Sequence, residues 1–315
     1  MAHSAVLIPN CGKERQMQKV IGIGETVYDI VFKNGVPTKG VPGGSVFNAM
    51  ITLGRLDVPA HFISEVGNDA VGKSIVEFMQ ENGLDTKSVD MFCDGQTALS
   101  LAFLNENNDA QYTFYTNYPD TRLSVVWPRI DPNDVFLLGS FYALNPDIRP
   151  RVLEFLDYAR ERDSIIYYDP NFRKAHADKA IQMMPSLLEN FEYADIVRGS
   201  SEDFLYLFNE RDAEKIYRDR IKFYCPIFIY TAAADGVELF TPQGHRHYDS
   251  AKITPVSTIG AGDNFNAGVI YGIIKEGVSR SELTSLPLER WDKIISYALD
   301  FSTQVCMSYE NYISL

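Results

Sequence analysis

The stretch Gly260-Ala261-Gly262-Asp263 decides how this chain of 315 residues is interpreted. Two glycines around a small residue allow successive backbone N–H groups to converge on one point, because glycine tolerates positive φ. A weakly helical apolar run follows, consisting of Phe265, Val269, Ile270, Ile273 and Ile274. A helix that begins here would add the positive end of its dipole where a phosphate could bind. Asp263 would then be placed to accept a proton from a hydroxyl that attacks the phosphate. The alternative is an acidic first-turn residue that only complements the dipole.

The composition excludes several classes of protein. A chain of this length with 45% hydrophobic residues can bury the core of one large α/β domain. Its formal net charge of −13 argues against nucleic acid or an anionic membrane as a partner, because phosphate contacts need clustered Lys and Arg. The four cysteines and five histidines lack metal-ligand spacing, so neither a zinc site nor a disulfide framework is predicted. No apolar run reaches the ~18 residues of a membrane span, and the cytoplasm is the expected location.

Short apolar runs alternate with stretches of helical periodicity along the chain. Buried strands are predicted over residues 19–24, 60–66, 134–139, 164–168, 194–197 and 226–231. Amphipathic helices are predicted over residues 46–53, 71–79, 152–159 and 291–305. This alternation indicates an α/β fold, with a mostly parallel sheet flanked by helices on both faces, as in Rossmann-like proteins.

Two regions interrupt this order. Residues 29–39, and residues 97–105 with 110–115 around the turn 106–109, have the pattern of antiparallel ribbons. We expect them to form a small antiparallel β lid that projects from the main body. The aromatic side chains of the second ribbon either pack on the body or form a patch for a second copy in a homodimer: Tyr112, Phe114 and Tyr115.

These patterns predict a single domain over residues 19–315, with lid strands from about 29–39 and 97–116. Residues 1–18 are predicted to be an N-terminal extension. Their apolar run is too short for the core of a signal peptide.

The octet at residues 67–74 matches the phosphate-loop pattern G-x-x-x-x-G-K-[ST] at every position. A predicted strand precedes it, a predicted helix follows, and Asp169 could imitate the aspartate that holds Mg²⁺. However, Asp69 would place a carboxylate inside a cradle for polyphosphate. We therefore predict a glycine turn that leads into a core helix, with Lys73 as a solvated side chain.

A second glycine pair, in Gly43-Gly44-Ser45-Val46-Phe47-Asn48, precedes the terminal motif by about two hundred residues. Together with Asp29, these motifs resemble those of the ribokinase-type (PfkB) sugar kinase family. The resemblance extends from about Val20 to the last predicted helix. It also includes Gly24-Glu25, Gly67-Asn68-Asp69, Asp169-Pro170-Asn171-Phe172-Arg173 and Ala234-Asp235-Gly236. The Asp-Pro-Asn-x-Arg run most resembles the fructokinase branch.

The resemblance implies a sugar site. Asp29 would accept hydrogen bonds from sugar hydroxyls, and Gly43, Gly44 and Asn48 would contact the same sugar. Asn171 and Arg173 would lie near the substrate and the transferred phosphoryl group, where a planar cation stabilises spreading charge. Judged without the resemblance, Asn48 would more readily cap a neighbouring loop, Asp29 could be a turn or strand-end aspartate, and Arg173 could form a surface ion pair.

The resemblance also implies a nucleotide site. Gly260, Ala261 and Gly262 would form an anion hole, and Asp263 would be the base. Ser200, Thr231 and Gly236 would line the nucleotide, and Asp203 and Glu202 would bind Mg²⁺. ATP, Mg²⁺ and a monovalent cation are the implied cofactors, and the lid would exclude water from the bound sugar.

Three positions depart from the family pattern. Ser257 stands where an aspartate is usual, Ser200 where an asparagine is usual, and Ala233 where a glycine is common. These changes indicate altered metal dependence, a slow enzyme, or a fold kept for sugar sensing.

The sequence thus predicts an ATP-dependent kinase for a primary hydroxyl of a small sugar, with fructose as the first choice. Other sugars or a nucleoside remain open within the family. A catalytically weak sugar-binding or regulatory protein is the alternative from another class. The retained Asp263 favours the enzyme, because a sensor needs no base.

Overall fold

The computed structural model describes residues 17–104 and 110–314. The first sixteen residues of the predicted extension, the turn at 106–109 and the side chain of Tyr112 lie outside the described part. The strands are β1 Val20–Ile23, β2 Val27–Lys33, β3 Val36–Gly43, β4 Ala60–Gly67, β5 Leu84–Asp85, β6 Val89–Phe92, β7 Gln96–Leu104, β8 Ala110–Asn117, β9 Val135–Gly139, β10 Ile165–Asp169, β11 Ile196–Ser200, β12 Phe228–Thr231, β13 Val237–Thr241 and β14 Gly244–Tyr248. The helices are α1 Ser45–Arg55, α2 Ala70–Glu81, α3 Arg149–Glu161, α4 Ala180–Tyr193, α5 Ser201–Phe208, α6 Ala213–Ile216, α7 Ala261–Lys275 and α8 Leu288–Cys306.

The main sheet confirms the predicted α/β fold. Its order among the described strands is β14-β13-β12-β11-β10-β9-β1-β4-β5, and β6 also pairs with β4. The pairs from β12 through β1 to β4, β5 and β6 are parallel. Only the edge hairpin that adds β13 and β14 is antiparallel within this sheet of described strands. Because β1 has β4 on one side and β9 on the other, the carboxyl end of β1 is where ligands bind in open sheets of this kind.

Two hydrophobic cores cover the two faces of the main sheet. One contains side chains of α1, α2, α7 and α8, with Trp291 fully buried at its centre. The other contains side chains of α3, α4, α5 and α6, including Phe155 and Phe204. The predicted helical periods therefore mark the faces that pack on the sheet. Within the described ranges, no helix is both apolar and long enough to cross a bilayer.

The predicted lid is a four-stranded sheet with the order β3-β2-β7-β8. As predicted, β2 with β3 and β7 with β8 form antiparallel hairpins. The two hairpins are joined by a parallel pairing between β2 and β7, from Tyr28↔Leu99 to Lys33↔Leu104. That pairing was not predicted, because neither hairpin carries a local signal for its distant partner. It makes the two ribbons one continuous sheet.

Candidate active site

The turn at residues 260–263 has the predicted form. Gly260 is the N-cap of α7 with φ 80°, a left-handed conformation that an L side chain adopts only with strain. The helix begins at Ala261, and Asp263 is therefore its third residue. The Ala261 N–H donates to the Thr258 carbonyl at 3.3 Å, and the remaining amides of the first turn, with the helix dipole, favour an anion here. Asp263 itself is buried, with only 6% of its surface exposed.

Asp263 is held by Asn48, which lies on α1. The Asn48 Nδ2 donates a 2.8 Å hydrogen bond to Asp263 Oδ2. Burial raises the pKa of Asp263 to about 6, opposed by this hydrogen bond and by the positive charge of Arg173. A carboxyl group with that pKa is ionised at neutral pH and still basic enough to take a proton from a hydroxyl. The turn therefore combines an anion site with a proton acceptor.

Asn48 is a polar side chain buried at the junction of α1 and α7. Its Oδ1 atom is buried and has no hydrogen-bond partner in the described part of the structure. A buried amide oxygen without a partner costs free energy, and a substrate hydroxyl could satisfy it. The Nδ2 donates to Asp263 and not to a neighbouring loop. The geometry thus favours a site residue over the loop-capping alternative.

Asp29 and the glycine pair lie together at the base of the lid. A Cβ atom placed on Gly43 would lie 2.3 Å from Asp29 Oδ2, so only glycine leaves room for this carboxylate. A Cβ atom on Gly44 would lie 2.2 Å from the carbonyl oxygen of Glu25. Burial raises the pKa of Asp29 to about 6, and Ser100 lies opposite it on β7. The structure thus brings together three of the residues predicted for the sugar.

A second acidic group, which the sequence analysis did not single out, lies beside Asp29. Tyr118 donates a 3.1 Å hydrogen bond to Glu25 Oε1. Burial raises the pKa of Glu25, and the nearby charges of Glu65 and Asp29 raise it further, against the lowering effects of Tyr118 and Arg122. Arg122 pairs with the buried Glu65. Arg122 therefore pairs with Glu65 and also acts on Glu25, while the charge of Asp29 acts on Glu25 from the lid side.

Asn171 and Arg173 differ in their surroundings. The backbone N–H of Asn171 donates a 3.0 Å hydrogen bond to Asp169 Oδ1, with Asn171 at φ 38°. Arg173 is exposed, and none of the ion pairs between described residues includes it. Its charge nevertheless acts on Asp263. A surface ion pair does not hold Arg173, so its guanidinium is available to a phosphoryl group.

A buried hydrogen-bond network centred on Arg198, which was not predicted from the sequence, packs against the turn at residues 260–263. Arg198 Nη1 donates to Asp169 Oδ2 at 2.8 Å, and its Nη2 donates to Thr231 Oγ1 at 2.7 Å. Asn266 Nδ2 donates to the same Asp169 oxygen at 2.6 Å. A Cβ atom on Gly262 would lie 3.1 Å from Arg198 Nη2, so the guanidinium packs against the turn. The sequence signal for this network was Arg198, a charged residue within the mostly apolar strand β11.

The residues predicted to bind the nucleotide and the metal differ in burial and in their contacts. Ser200 caps α5, and its Oγ and N–H both bond Asp203 Oδ2, at 2.7 and 2.5 Å. Asp203 Oδ1 accepts from the Phe172 N–H at 2.6 Å. Glu202 is exposed, whereas Asp203 is buried. Burial raises the pKa of Asp203 to about 6, and repulsion from Asp169 adds to that shift.

These contacts leave the Asp203 carboxylate one free acceptor direction, on Oδ1. It fits a magnesium ion contacted through water, and Glu202 stays a prediction as a second ligand. In the described residues, no group of three His, Cys, Asp or Glu side chains could hold a metal ion. Mg²⁺ commonly keeps several waters and binds substrate phosphates, so a dedicated protein cage is not required.

The nucleotide-side loop follows β12. Gly236 has φ 95°, and Ala233 has φ 47°, where a glycine is common in the related family. The Thr231 hydroxyl is directed at Arg198. The segment before α7 exposes three apolar side chains, on which a planar base could lie: Ile253, Val256 and Ile259. Periodicity could not identify them, because the segment is neither helix nor strand.

The phosphate-loop octet at residues 67–74 is a closed turn, as predicted. Asp69 caps α2 by accepting from the Gly72 N–H at 2.8 Å. Its carboxylate also accepts from the Thr97 backbone N–H and hydroxyl, each at 2.8 Å. These bonds lower the pKa of Asp69, although partial burial opposes them. The carboxylate occupies the position where a phosphate would bind, and Lys73 is exposed.

Comparison with known proteins gives one family. Residues 17–287 match the model described as "pfkB family carbohydrate kinase". Fructokinase-1 of Zea mays is 26% identical over 245 residues, covering 75% of this chain and 74% of that protein. The structure of a Vibrio cholerae O395 fructokinase bound to fructose, ADP and calcium ion has a TM-score of 0.79 at 19% identity, covering 94% of each chain. A Salmonella enterica aminoimidazole riboside kinase, complexed with aminoimidazole riboside and an ATP analog, has a TM-score of 0.76 at 22% identity, covering 93% of this chain and 95% of that one.

Proposed function

The chain belongs to the PfkB family of carbohydrate kinases and is an ATP-dependent sugar kinase, and from this premise we propose that it phosphorylates a primary hydroxyl of fructose. The observation that carries the proposal is the buried hydrogen bond between Asn48 and Asp263. It joins the helix after the glycine pair to the helix after the terminal turn. The base therefore lies next to the residues proposed for the sugar.

Asp263 is the proposed general base. Its carboxylate accepts the proton of the attacking hydroxyl, while Asn48 holds it by one oxygen and leaves Oδ1 of the carboxylate for the substrate. The amides of Gly260 and Gly262 and the dipole of α7 stabilise the charge of the transferred phosphoryl group; the Ala261 amide joins them only if it leaves the Thr258 carbonyl, and Arg173 approaches the phosphoryl group from solvent. Positioning and fixed dipoles account for most catalysis in phosphoryl transfer.

The charges around Asp29 support a neutral polyol as the substrate. Glu25 and Asp29 lie beside the ion pair of Arg122 with Glu65, so these four described groups together carry more negative than positive charge. A carboxylate or phosphate on the substrate would be repelled there, whereas hydroxyls can donate to these oxygens. The proposed class is a small neutral sugar, and a sugar acid or sugar phosphate is disfavoured.

On the nucleotide side, ATP is the phosphoryl donor. The proposed contacts to ATP are Gly236, Ser200 and the exposed apolar side chains before α7: Ile253, Val256 and Ile259. Mg²⁺ neutralises phosphate charge when bound, and a water-mediated contact to Asp203 is the proposed link to the protein. The monovalent cation remains a prediction from the resemblance.

A coupled assay of ADP release across hexoses, pentoses, nucleosides, sugar acids and sugar phosphates tests the proposal. We expect fructose to give the highest kcat/KM. A preference for a nucleoside would favour the second candidate, which the similarity to the aminoimidazole riboside kinase supports. No phosphoryl transfer to any polyol would instead favour a sugar-binding regulatory protein.

The lid supports a proposal about assembly. Phe103, Phe114 and Tyr115 are 41%, 56% and 58% exposed on β7 and β8. A second copy of this chain that covers them would remove apolar surface from water. We propose a homodimer through the lid. Light scattering after gel filtration, with Tyr115→Glu as the dissociating variant, would reveal a constant monomer mass if the proposal is wrong.

A further inference from the structure

Residues 308–313, which follow α8, form a segment that we call the strap. The strap lies directly against the turn at Gly260. A Cβ atom on Gly260 would lie 2.5 Å from the carbonyl oxygen of Asn311. Asn264 Nδ2 donates to that same carbonyl at 2.8 Å and to the Gly260 carbonyl at 2.7 Å. One buried amide group therefore fastens the turn to the strap.

Thr52 completes the connection from α1. Its hydroxyl donates a short hydrogen bond to Asn264 Oδ1 and accepts from the Ile313 N–H at 3.1 Å. Thr52 and Asn264 are both fully buried. Residues four apart lie on the same face of a helix, so α1 presents Asn48 and Thr52 to consecutive residues of α7. Asn48 bonds the base, and Thr52 bonds the residue that follows it.

The strap is itself anchored to the body. Arg55 Nη1 donates to the Ile313 carbonyl at 2.6 Å and to Glu310 Oε2 at 3.1 Å. The Arg55 guanidinium lies 4.5 Å from the centre of the Tyr312 ring, and Tyr312 is buried. Thr52 and Arg55 are three residues apart, so one end of α1 holds both the strap and the turn. A segment fixed in this way can resist movement of the turn.

We propose that Thr52 and Asn264 are positioning residues, which use the strap to fix the backbone amides at residues 260–263 in the orientation that the transferred phosphoryl group requires. The inference rests on the proposed function of that turn. Glycine-rich backbone loses more conformational entropy than other backbone when it is ordered, so a turn of this composition benefits from an external hold. The bonds are buried, and losing one leaves a polar atom unsatisfied.

The experiment compares Thr52→Val with Thr52→Ser in the full-length chain. Valine keeps the volume and removes the hydroxyl, whereas serine keeps the hydroxyl. Without the hydroxyl the turn loses its connection to α1 through Asn264, so we expect Thr52→Val to lower kcat roughly 10-fold. The Kd for sugar should stay within about twofold, and Thr52→Ser should retain kcat within about threefold. Thr303→Val, which loses only a bond to the Leu299 carbonyl within α8, is the matched control.

Hydrogen exchange of the amides at residues 260–264 is the second readout, because it requires no turnover. We expect faster exchange there in Thr52→Val and unchanged exchange in the Thr303→Val control. A folded Thr52→Val protein with kcat within twofold of wild type and unchanged exchange would overturn the proposal. So would a loss of kcat shared equally by Thr52→Ser.

If Thr52→Val does not fold, Arg55→Gln tests the strap through its contacts with Glu310 and Ile313. Arg55→Lys is then the conservative variant. The same changes in kcat and in hydrogen exchange at residues 260–264 would support or overturn the proposal. Failure of the proposed function gives a different result. A wild-type protein without phosphoryl transfer would refute the kinase assignment of the site, while the exchange data would still decide whether the strap holds the turn.

Discussion

Replacement of Asp263 by asparagine is the most direct test of the proposed base. Asparagine has the same size, and its side-chain oxygen can still accept the 2.8 Å hydrogen bond from Asn48. The start of α7 should therefore persist, and only the proton acceptor is lost. General-base catalysis contributes about 10²–10⁴ in rate, or about 3–5.5 kcal/mol of barrier. We expect kcat to fall by that factor, while the Kd for sugar stays within a few-fold.

The pH dependence of kcat tests the same prediction independently. In the proposed mechanism the ionised form of Asp263 is the active one, and burial raises its pKa to about 6. In the wild type, kcat should rise with pH, reach half its plateau near pH 6 and fall to about one tenth at pH 5. The Asp263→Asn variant should lack this acid limb. If kcat of the variant still falls at acid pH, a group other than Asp263 is responsible for the fall.

Stability should change in the opposite direction to activity. Burial raises the pKa of Asp263 from 3.8 to about 6, so the native state binds its proton more tightly than the unfolded chain does. The stabilisation from this group is complete below pH 3.8 and is lost as pH rises through about 6. A difference of about two pKa units corresponds to at most about 3 kcal/mol. Asp263→Asn should therefore raise the Tm at pH 7.5.

The assay is coupled ADP release at saturating ATP and sugar, with thermal unfolding at pH 4 and pH 7.5. Asp300→Asn, an exposed aspartate on α8, is the matched control and should change neither quantity. A kcat for Asp263→Asn within about fivefold of wild type would remove Asp263 from the mechanism, because no other group should replace a base that supplies 10² or more.

Four further predictions follow from the site. Lys73→Ala should keep kcat and the KM for ATP within about twofold, since its turn is filled by a carboxylate, and a loss like that of the base variant would refute this. Ala233→Gly should relieve a left-handed conformation and stabilise the protein by about 0.5–1 kcal/mol in denaturant unfolding; equal stability would mean that the loop is unstrained. Asp29→Ala should raise the KM for sugar about 100-fold with the KM for ATP unchanged, and parallel changes in both would argue against a sugar contact. Ser257→Asp combined with Ser200→Asn should shift the Mg²⁺ dependence of kcat to lower concentration, whereas an unmoved curve would show the departures to be neutral.

Local signals account for what could be predicted from the sequence. Six main-sheet strands (β1, β4, β9, β10, β11 and β12) and the helices α1, α2, α3 and α8 follow from periodicity within ten to twenty residues. The start of α7 follows from the glycines and the acidic residue at 260–263. The closed turn at residues 67–74 was predictable, because Asp69 conflicts with a bound phosphate at the same place.

Long-range polar contacts account for what could not be predicted. Thr52 and Asn264 lie 212 positions apart, and Arg198 and Asp169 lie 29 apart on neighbouring strands. No spacing rule relates such residues, because their proximity depends on strand order in the sheet. The resemblance supplied positions for the sugar and nucleotide sites, but it did not indicate that Asn48 holds Asp263.

The parallel pairing between β2 and β7 also constrains how the protein folds. It joins residues roughly 70 positions apart, and α1, β4 and α2 lie between them. Closing so long a loop is entropically costly before the intervening elements are ordered, so the two hairpins should unite after that part of the body has formed. The side of Asp29 that β7 covers is therefore expected to be completed late in folding. A partly folded chain should therefore expose Asp29 without Ser100 opposite it, and only the pairing of β2 with β7 completes the surroundings of that carboxylate.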